Sequence, residues 1–467
     1  MQKKVSSRVS TLLAVILLAV VALPGLAQAA ASHKDRIEGP INEPQDVTRQ
    51  CLQCHEDAAK NFMKTSHWTW SLKQTIDGET VDRGKRNALN NYCTSVAANE
   101  KFCAKCHAGY GMTDADTYDY QNAENIDCLV CHDTTGTYAK GTNMAGMPRE
   151  GLDLLRIAQN VGTPNRDNCG QCHFYGGGGD AVKHGDLDSS MAYPERDTDV
   201  HMSVETLDFQ CVTCHKTENH QISGQSLGVS PGGDTHIACT QCHDAKPHGE
   251  NRIDAHIDTV ACQTCHIPHY AKNKATKTWW DWSKAGEDRE IDEKDEFGHH
   301  TYVKKKGEMA YGKMLVPEYR WFNGKGSANL RGEPINPDEV TKLAYPLGER
   351  ANMKSKIHPF KIMRGKQIYD KEHKHLITAK LVGEGGFWND FDWDRAARLG
   401  SKDAGLPYSG EYGFAETEMY WRLNHMISPK EKALGCLDCH GDNGRLDWKA
   451  LGYKGDPMTN QKWARTR

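Results

Sequence analysis

The sequence predicts a mainly α fold with much irregular structure, its interior built around bound groups more than around aliphatic side chains. Three observations carry that expectation. Cys-x-x-Cys-His occurs eight times in 467 residues. Glycine is abundant, with 43 residues, while hydrophobic residues make up only 38% of the chain. Seven of the copies crowd together, and a long stretch without one separates them from the last.

The elements follow in chain order. Lys3, Lys4 and Arg8 precede an apolar run from Leu12 to Leu23, then Pro24 and Ala27-Gln28-Ala29. This is the pattern of a secretory signal peptide over residues 1–29. No later segment reaches the ~18 uninterrupted apolar residues of a membrane span, so an exported, soluble protein is expected. Residues 30–270 hold seven copies: Cys51, Cys54, His55; Cys103, Cys106, His107; Cys128, Cys131, His132; Cys169, Cys172, His173; Cys211, Cys214, His215; Cys239, Cys242, His243; and Cys262, Cys265, His266. Residues 425–467 carry the eighth, Cys436, Cys439 and His440.

On a helical turn, positions i, i+3 and i+4 share one face. Two thiols can therefore reach the two vinyl groups of one haem while the imidazole points at its iron, which makes the repeated motif a c-type haem signal. Disulfide scaffolds belong to short chains, and neither they nor zinc sites account for the histidine after every second cysteine. The fold class is thus a multihaem cytochrome c fold organised around eight covalent haems. With roughly 55 mature residues per haem, porphyrin supplies much of the interior, and little regular sheet or long helix is expected before residue 270. The formal charge of −4 omits the haem propionates, so the loaded protein is more acidic still, and nothing points to nucleic acid.

Residues 271–424 read as a haem-free excursion of minor β hairpins and loops covering the core. They contain "TWWDWS", the charge-dense "EDREIDEKDEF", Lys304 to Lys306 and the strand-like "MLVPEYRWF". The charge runs read as solvated surface. A helix is expected from Phe414 to Met426, leading into the last motif.

Haems that only transfer electrons have both axial positions filled, whereas a catalytic haem needs one that is vacant or displaceable. Of 23 histidines, eight are proximal, so supply does not settle which haems are saturated. Position selects His67, His201, His220, His236, His248, His256 and His425 as distal candidates, with His358 in "IHPFK" an eighth. His269, His299, His300, His373 and His375 read as surface residues.

The segments "HWTW", "NNYCTSVAANEKFCAKCHAGYG", "NIDCLVCHDTTGTY", "CGQCHFYGGGGDAVKHGDLDSS", "HPFKIMRGKQIYD" and "ETEMYW" resemble the octahaem tetrathionate reductase family. The likeness runs over nearly the whole mature chain. It implies a periplasmic cytochrome with bis-histidine haems and one catalytic haem at the second motif, with His107 proximal and a lysine, Lys183, in the distal position. It also implies reduction of tetrathionate, and of nitrite and hydroxylamine, with electrons from a periplasmic or membrane-anchored cytochrome. A calcium ion (Ca2+) near that haem is admitted by analogy with related reductases, although no ligand cluster in the sequence demands one.

Cys93 is the cysteine that no motif uses, and the family has a cysteine beside its catalytic haem. As a thiolate it could take up a sulfur fragment, since exchange at a sulfur–sulfur bond requires an attacking thiolate. Two other functions stay open. A non-enzymatic electron conduit would need every haem fully ligated; a hydroxylamine-type oxidase would need a tyrosine cross-linked to the catalytic haem, and no arrangement in the sequence selects one.

Overall fold

The structure is a computed structural model, and it describes residues 32–76, 78–228, 236–289 and 293–465. The expected signal peptide therefore lies outside the described residues. Among the described residues, no helix is long and apolar enough to cross a membrane.

The motif-bearing part begins with a 19-residue helix, Pro44–Phe62, longer than the haem-dominated interior was expected to allow. Pro44 occupies its first turn, where a missing N–H costs nothing, and Asp46 accepts hydrogen bonds from the backbone of Asn42 and Glu43. The first motif lies inside this helix, which departs from helical geometry at His55. Most later motifs sit on single turns, such as Cys211–Cys214, Cys262–His266 and Cys436–Cys439. A longer one, Arg166–His173, is capped by the Asn165 side chain. Two small hairpins interrupt this region: β1 (Leu72–Ile76) with β2 (Glu79–Arg83), and β3 (Thr217–Glu218) with β4 (Gln221–Ile222).

The segment expected to hold minor hairpins instead builds one mixed eight-stranded sheet. Its strands are β5 (Thr276–Asp281), β6 (Tyr302–Val303), β7 (Gly307–Gly312), β8 (Glu318–Phe322), β9 (Gly326–Ala328), β10 (Thr341–Pro346), β11 (Lys356–Asp370) and β12 (Tyr412–Arg422). The order is β6-β7-β5-β11-β12-β10-β9, with β8 pairing β11. β5 runs parallel to β11 and β10 parallel to β12; the other pairs are antiparallel. The helix expected over Phe414–Met426 is strand β12, whose residues pair with β11 from Phe360↔Arg422 to Asp370↔Tyr412. Met419, Tyr420 and Trp421 are consecutive and all buried, so the strand is covered on both faces there and leaves no alternating pattern to read.

β11 is buried along most of its length, as expected for a strand covered on both faces. Neighbours of this strand fix three functional loops. The Asn91 amide donates to the Met363 carbonyl at 2.7 Å and the Gln367 amide to the Asn90 carbonyl at 2.7 Å, tying the stretch before the second motif to the sheet. The Ile357 carbonyl accepts from the Ala261 N–H at 2.9 Å and from the Thr264 hydroxyl at 2.8 Å, which anchors the seventh motif. Lys361 holds the loop that carries Lys183.

Candidate haem sites and a lysine pocket

One connected cavity of about 3530 Å³ runs through the motif-bearing part and is lined by residues of all eight motifs. Small-ligand pockets measure about 300–1000 Å³, and interiors otherwise pack like organic crystals. A void this size fits several large cofactors.

Seven of the eight motif histidines face a second imidazole at nearly constant distance. Ring centres lie 6.2 Å apart for His33–His55 and 6.3 Å for both His132–His220 and His67–His173. They are 6.2 Å apart for His215–His425, 6.0 Å for His201–His243, 6.2 Å for His248–His266 and 6.3 Å for His256–His440. An imidazole nitrogen binds a metal at about 2.0 Å, so two rings on opposite sides of one ion have centres about 6.2 Å apart.

In six of these fourteen rings Nδ1 is occupied in the way that orients a ligand. Nδ1 donates to the Gly162 carbonyl from His132 (2.8 Å) and to the Ser223 carbonyl from His215 (2.8 Å). His248 uses Asp254 (2.9 Å), His256 the Arg252 carbonyl (2.8 Å), His425 the Asp186 carboxylate (3.2 Å) and His440 the Asp456 carboxylate (2.5 Å). In each case Nε2 is the nitrogen left for a ligand role.

Of the distal candidates, His67, His201, His220, His248, His256 and His425 stand in these pairs. His236 also lines the cavity, beside Gly324, where a Cβ would lie 3.4 Å from its Nε2. The ring opposite His55 is His33, which position relative to the motifs did not select. His184, also unselected, lies 6.2 Å from His173, so two rings compete for that site. His358 is buried in β11 between Phe322 and Phe360, away from the cavity lining. His375, read as a surface residue, is 4% exposed.

The second motif departs from the pattern. The expected proximal ligand, His107, is 1% exposed and turned into an aromatic box, its ring centre 5.4 Å from Trp68 and 4.9 Å from Trp70. Its Nε2 donates to the Trp68 carbonyl at 2.6 Å, and its buried Nδ1 has no partner. Gly109 permits the fold-back, since a Cβ there would lie 2.7 Å from the His107 ring. The Lys140 ammonium binds the carbonyls of His107 and Gly109 from behind and pairs with buried Asp127 at 3.1 Å.

Lys183 takes part in this pocket. Burial brings its amine down to about 7, aided by the Lys85 charge, and it senses the thiols of Cys106 and Cys172. Its Nζ stands 4.8 Å from the Trp421 ring centre. The Gly-rich loop is required here: a Cβ on Gly176 would lie 2.8 Å from Lys183 Cδ. Cys93 lines the same cavity, but burial pushes its thiol up to about 11, so it is not a thiolate near neutral pH.

The motif thiols also define an order. Cys51 lies beside Cys128, Cys106 beside Cys172, Cys169 beside Cys211, and Cys239 beside Cys262. Cys131 and Cys169, Cys214 and Cys242, and Cys265 and Cys439 lie within electrostatic reach. The motifs therefore form the series one, three, four, five, six, seven, eight, with the second branching from the fourth.

The crystal structure of octahaem cytochrome c from Shewanella oneidensis superposes with a TM-score of 0.88 at 54% identity, covering 93% of this chain and 99% of that one. The chain belongs to the octahaem cytochrome c family. This bears out the family likeness read from the motifs, and a redox role with covalently held haem c goes with it. The model of bacterial cytochrome c matches residues 277–443. An uncharacterised protein of Archaeoglobus fulgidus is 25% identical over 229 residues, 38% of this chain and 76% of its own length.

Proposed function

We propose that this octahaem cytochrome is an exported periplasmic reductase of small inorganic substrates, foremost tetrathionate, and also nitrite and hydroxylamine. One observation carries the proposal. At the second motif alone the motif histidine is turned away, and a half-buried lysine, Lys183, lines the cavity together with that motif's thiols. Seven sites with facing imidazoles suit saturated electron carriers; a site offered one amine leaves room for substrate.

When bound, haem c supplies electrons along the motif series and an iron centre for substrate at the branch. The chain's own residues do the rest. Lys183 is desolvated far enough to offer a neutral amine, and Lys85 places positive charge where an anion must enter. Lys140 and Gly109 keep His107 out of the way. For tetrathionate, two electrons cleave the central S–S bond and yield two thiosulfates, with no proton consumed. The neutral Cys93 thiol is suited to donate a hydrogen bond, and attack on sulfur would first require its deprotonation. The electron donor fits a periplasmic or membrane-anchored cytochrome.

The test is anaerobic titration of the reduced holoprotein with hydroxylamine or cyanide, followed by EPR, with turnover assayed from a viologen donor. Ligand binding at one haem together with turnover is expected. No change in any haem and no turnover would leave an electron conduit.

A further inference from the structure

Lys361 is a fully buried lysine whose partners are all neutral oxygens. It is 0% exposed and stands on β11 opposite Trp421 of β12. A lysine head offers at most three donors, and three oxygens meet it here. Nζ donates to the Val182 carbonyl at 2.8 Å, the Lys183 carbonyl at 2.9 Å and the Thr276 hydroxyl at 2.5 Å. The Thr276 hydroxyl in turn donates to the Ala181 carbonyl at 2.6 Å.

Three successive carbonyls, those of residues 181 to 183, are thus held from the sheet. The Tyr92 hydroxyl adds a second donor to the Lys183 carbonyl at 2.8 Å. The held segment is not relaxed: Ala181 has φ 60°, a left-handed conformation that a Cβ disfavours. Space is closed as well, because a Cβ on Gly185 would lie 2.9 Å from Lys361 Cδ. Placing a lysine head in a dry interior is costly, and here it fastens one loop.

We propose that Lys361 is a positioning residue, clamping the backbone of Val182 and Lys183 so that the Lys183 side chain is delivered into the pocket of the second motif. This deepens the assignment of Lys183 made above and depends on it. Strained, over-determined backbone at a site of chemistry is a recognised means of preorganisation, and rigid support from a β-strand is more exacting than support from a loop.

The experiment uses full-length, haem-loaded protein with Lys361→Met, Thr276→Val and Lys183→Met. The readouts are the pulsed-EPR coupling of lysine ε-15N to haem iron, and kcat and KM with a viologen donor. For Lys361→Met the coupling is expected to fall to a minor fraction while the bis-histidine signals are unchanged. Misplacement of a reacting group by about 1 Å costs up to about a hundredfold, so kcat should drop between about ten- and a hundredfold, with KM changing less. Thr276→Val should move both readouts the same way by a smaller factor, and decides the matter if Lys361→Met does not accumulate. A native coupling and native kcat in the variant that folds would overturn the clamp. Should Lys183→Met itself leave the coupling intact, the assignment of Lys183 fails instead; loss there with retention in Lys361→Met overturns the clamp alone.

Discussion

Replacing Asp127 by asparagine should be among the most damaging single changes outside the motifs. Asp127 is 1% exposed and accepts hydrogen bonds from the hydroxyls of Tyr138 (2.7 Å) and Tyr110 (3.0 Å) and the Val130 N–H (3.1 Å). Its charge balances Lys140, 4% exposed, whose ammonium fastens the carbonyls that follow the second motif. Asp127→Asn keeps the shape but leaves a buried cation without its counter-charge, a loss of about 3–5 kcal/mol. Lys140→Met should cost a similar amount, and because the two share one interaction, the double variant should recover about 1–3 kcal/mol relative to the sum. Guanidinium unfolding of the haem-loaded protein, followed by Soret circular dichroism and compared at unchanged m-value, measures each. Single losses below about 1 kcal/mol, or strict additivity, would refute the reasoning.

Three further predictions follow from the same geometry. Burial raises the Glu100 carboxyl to about 7, so the folded state prefers it protonated; its contribution should be fully present at low pH and decline as pH rises from about 4.5 through 7, and Glu100→Gln should flatten that decline in a stability–pH profile. His33 faces His55 at 6.2 Å, so His33→Ala should convert one low-spin haem to a form that binds cyanide, seen by EPR; an unchanged spectrum would remove His33 from the ligand set. Gly109→Ala should force the His107 ring off its seat, because the new methyl would lie 2.7 Å from it, at a cost of about 1–3 kcal/mol in unfolding free energy; a neutral outcome would mean that the box yields easily.

The attachment sites were legible because covalent haem linkage is local: two thiols and an imidazole within one helical turn leave a pattern that no fold can hide. Facing ligands are a different matter. His33 meets His55 across a turn of the N-terminal segment, and His425 meets His215 from beyond the sheet, so their pairing belongs to the tertiary structure. The sheet was under-read because β10 and β12 are parallel neighbours separated by the whole of β11, and because buried β12 carries Met419, Tyr420 and Trp421 in a row. His107 shows the sharper limit. Its motif is indistinguishable from the other seven, and what turns its ring is Trp68, Trp70, Gly109 and Lys140, none of which a motif search weighs. Lys183, alone in a loop, became a candidate only through likeness to a family.

The central claim is that the second-motif haem is held by Lys183 and not by His107. Pulsed EPR on the oxidised protein grown with ε-15N-lysine tests it without any substitution. One haem should couple to a lysine nitrogen and to no imidazole, while the other seven couple to imidazole nitrogens only. Imidazole couplings on all eight haems, with none to lysine, would contradict it.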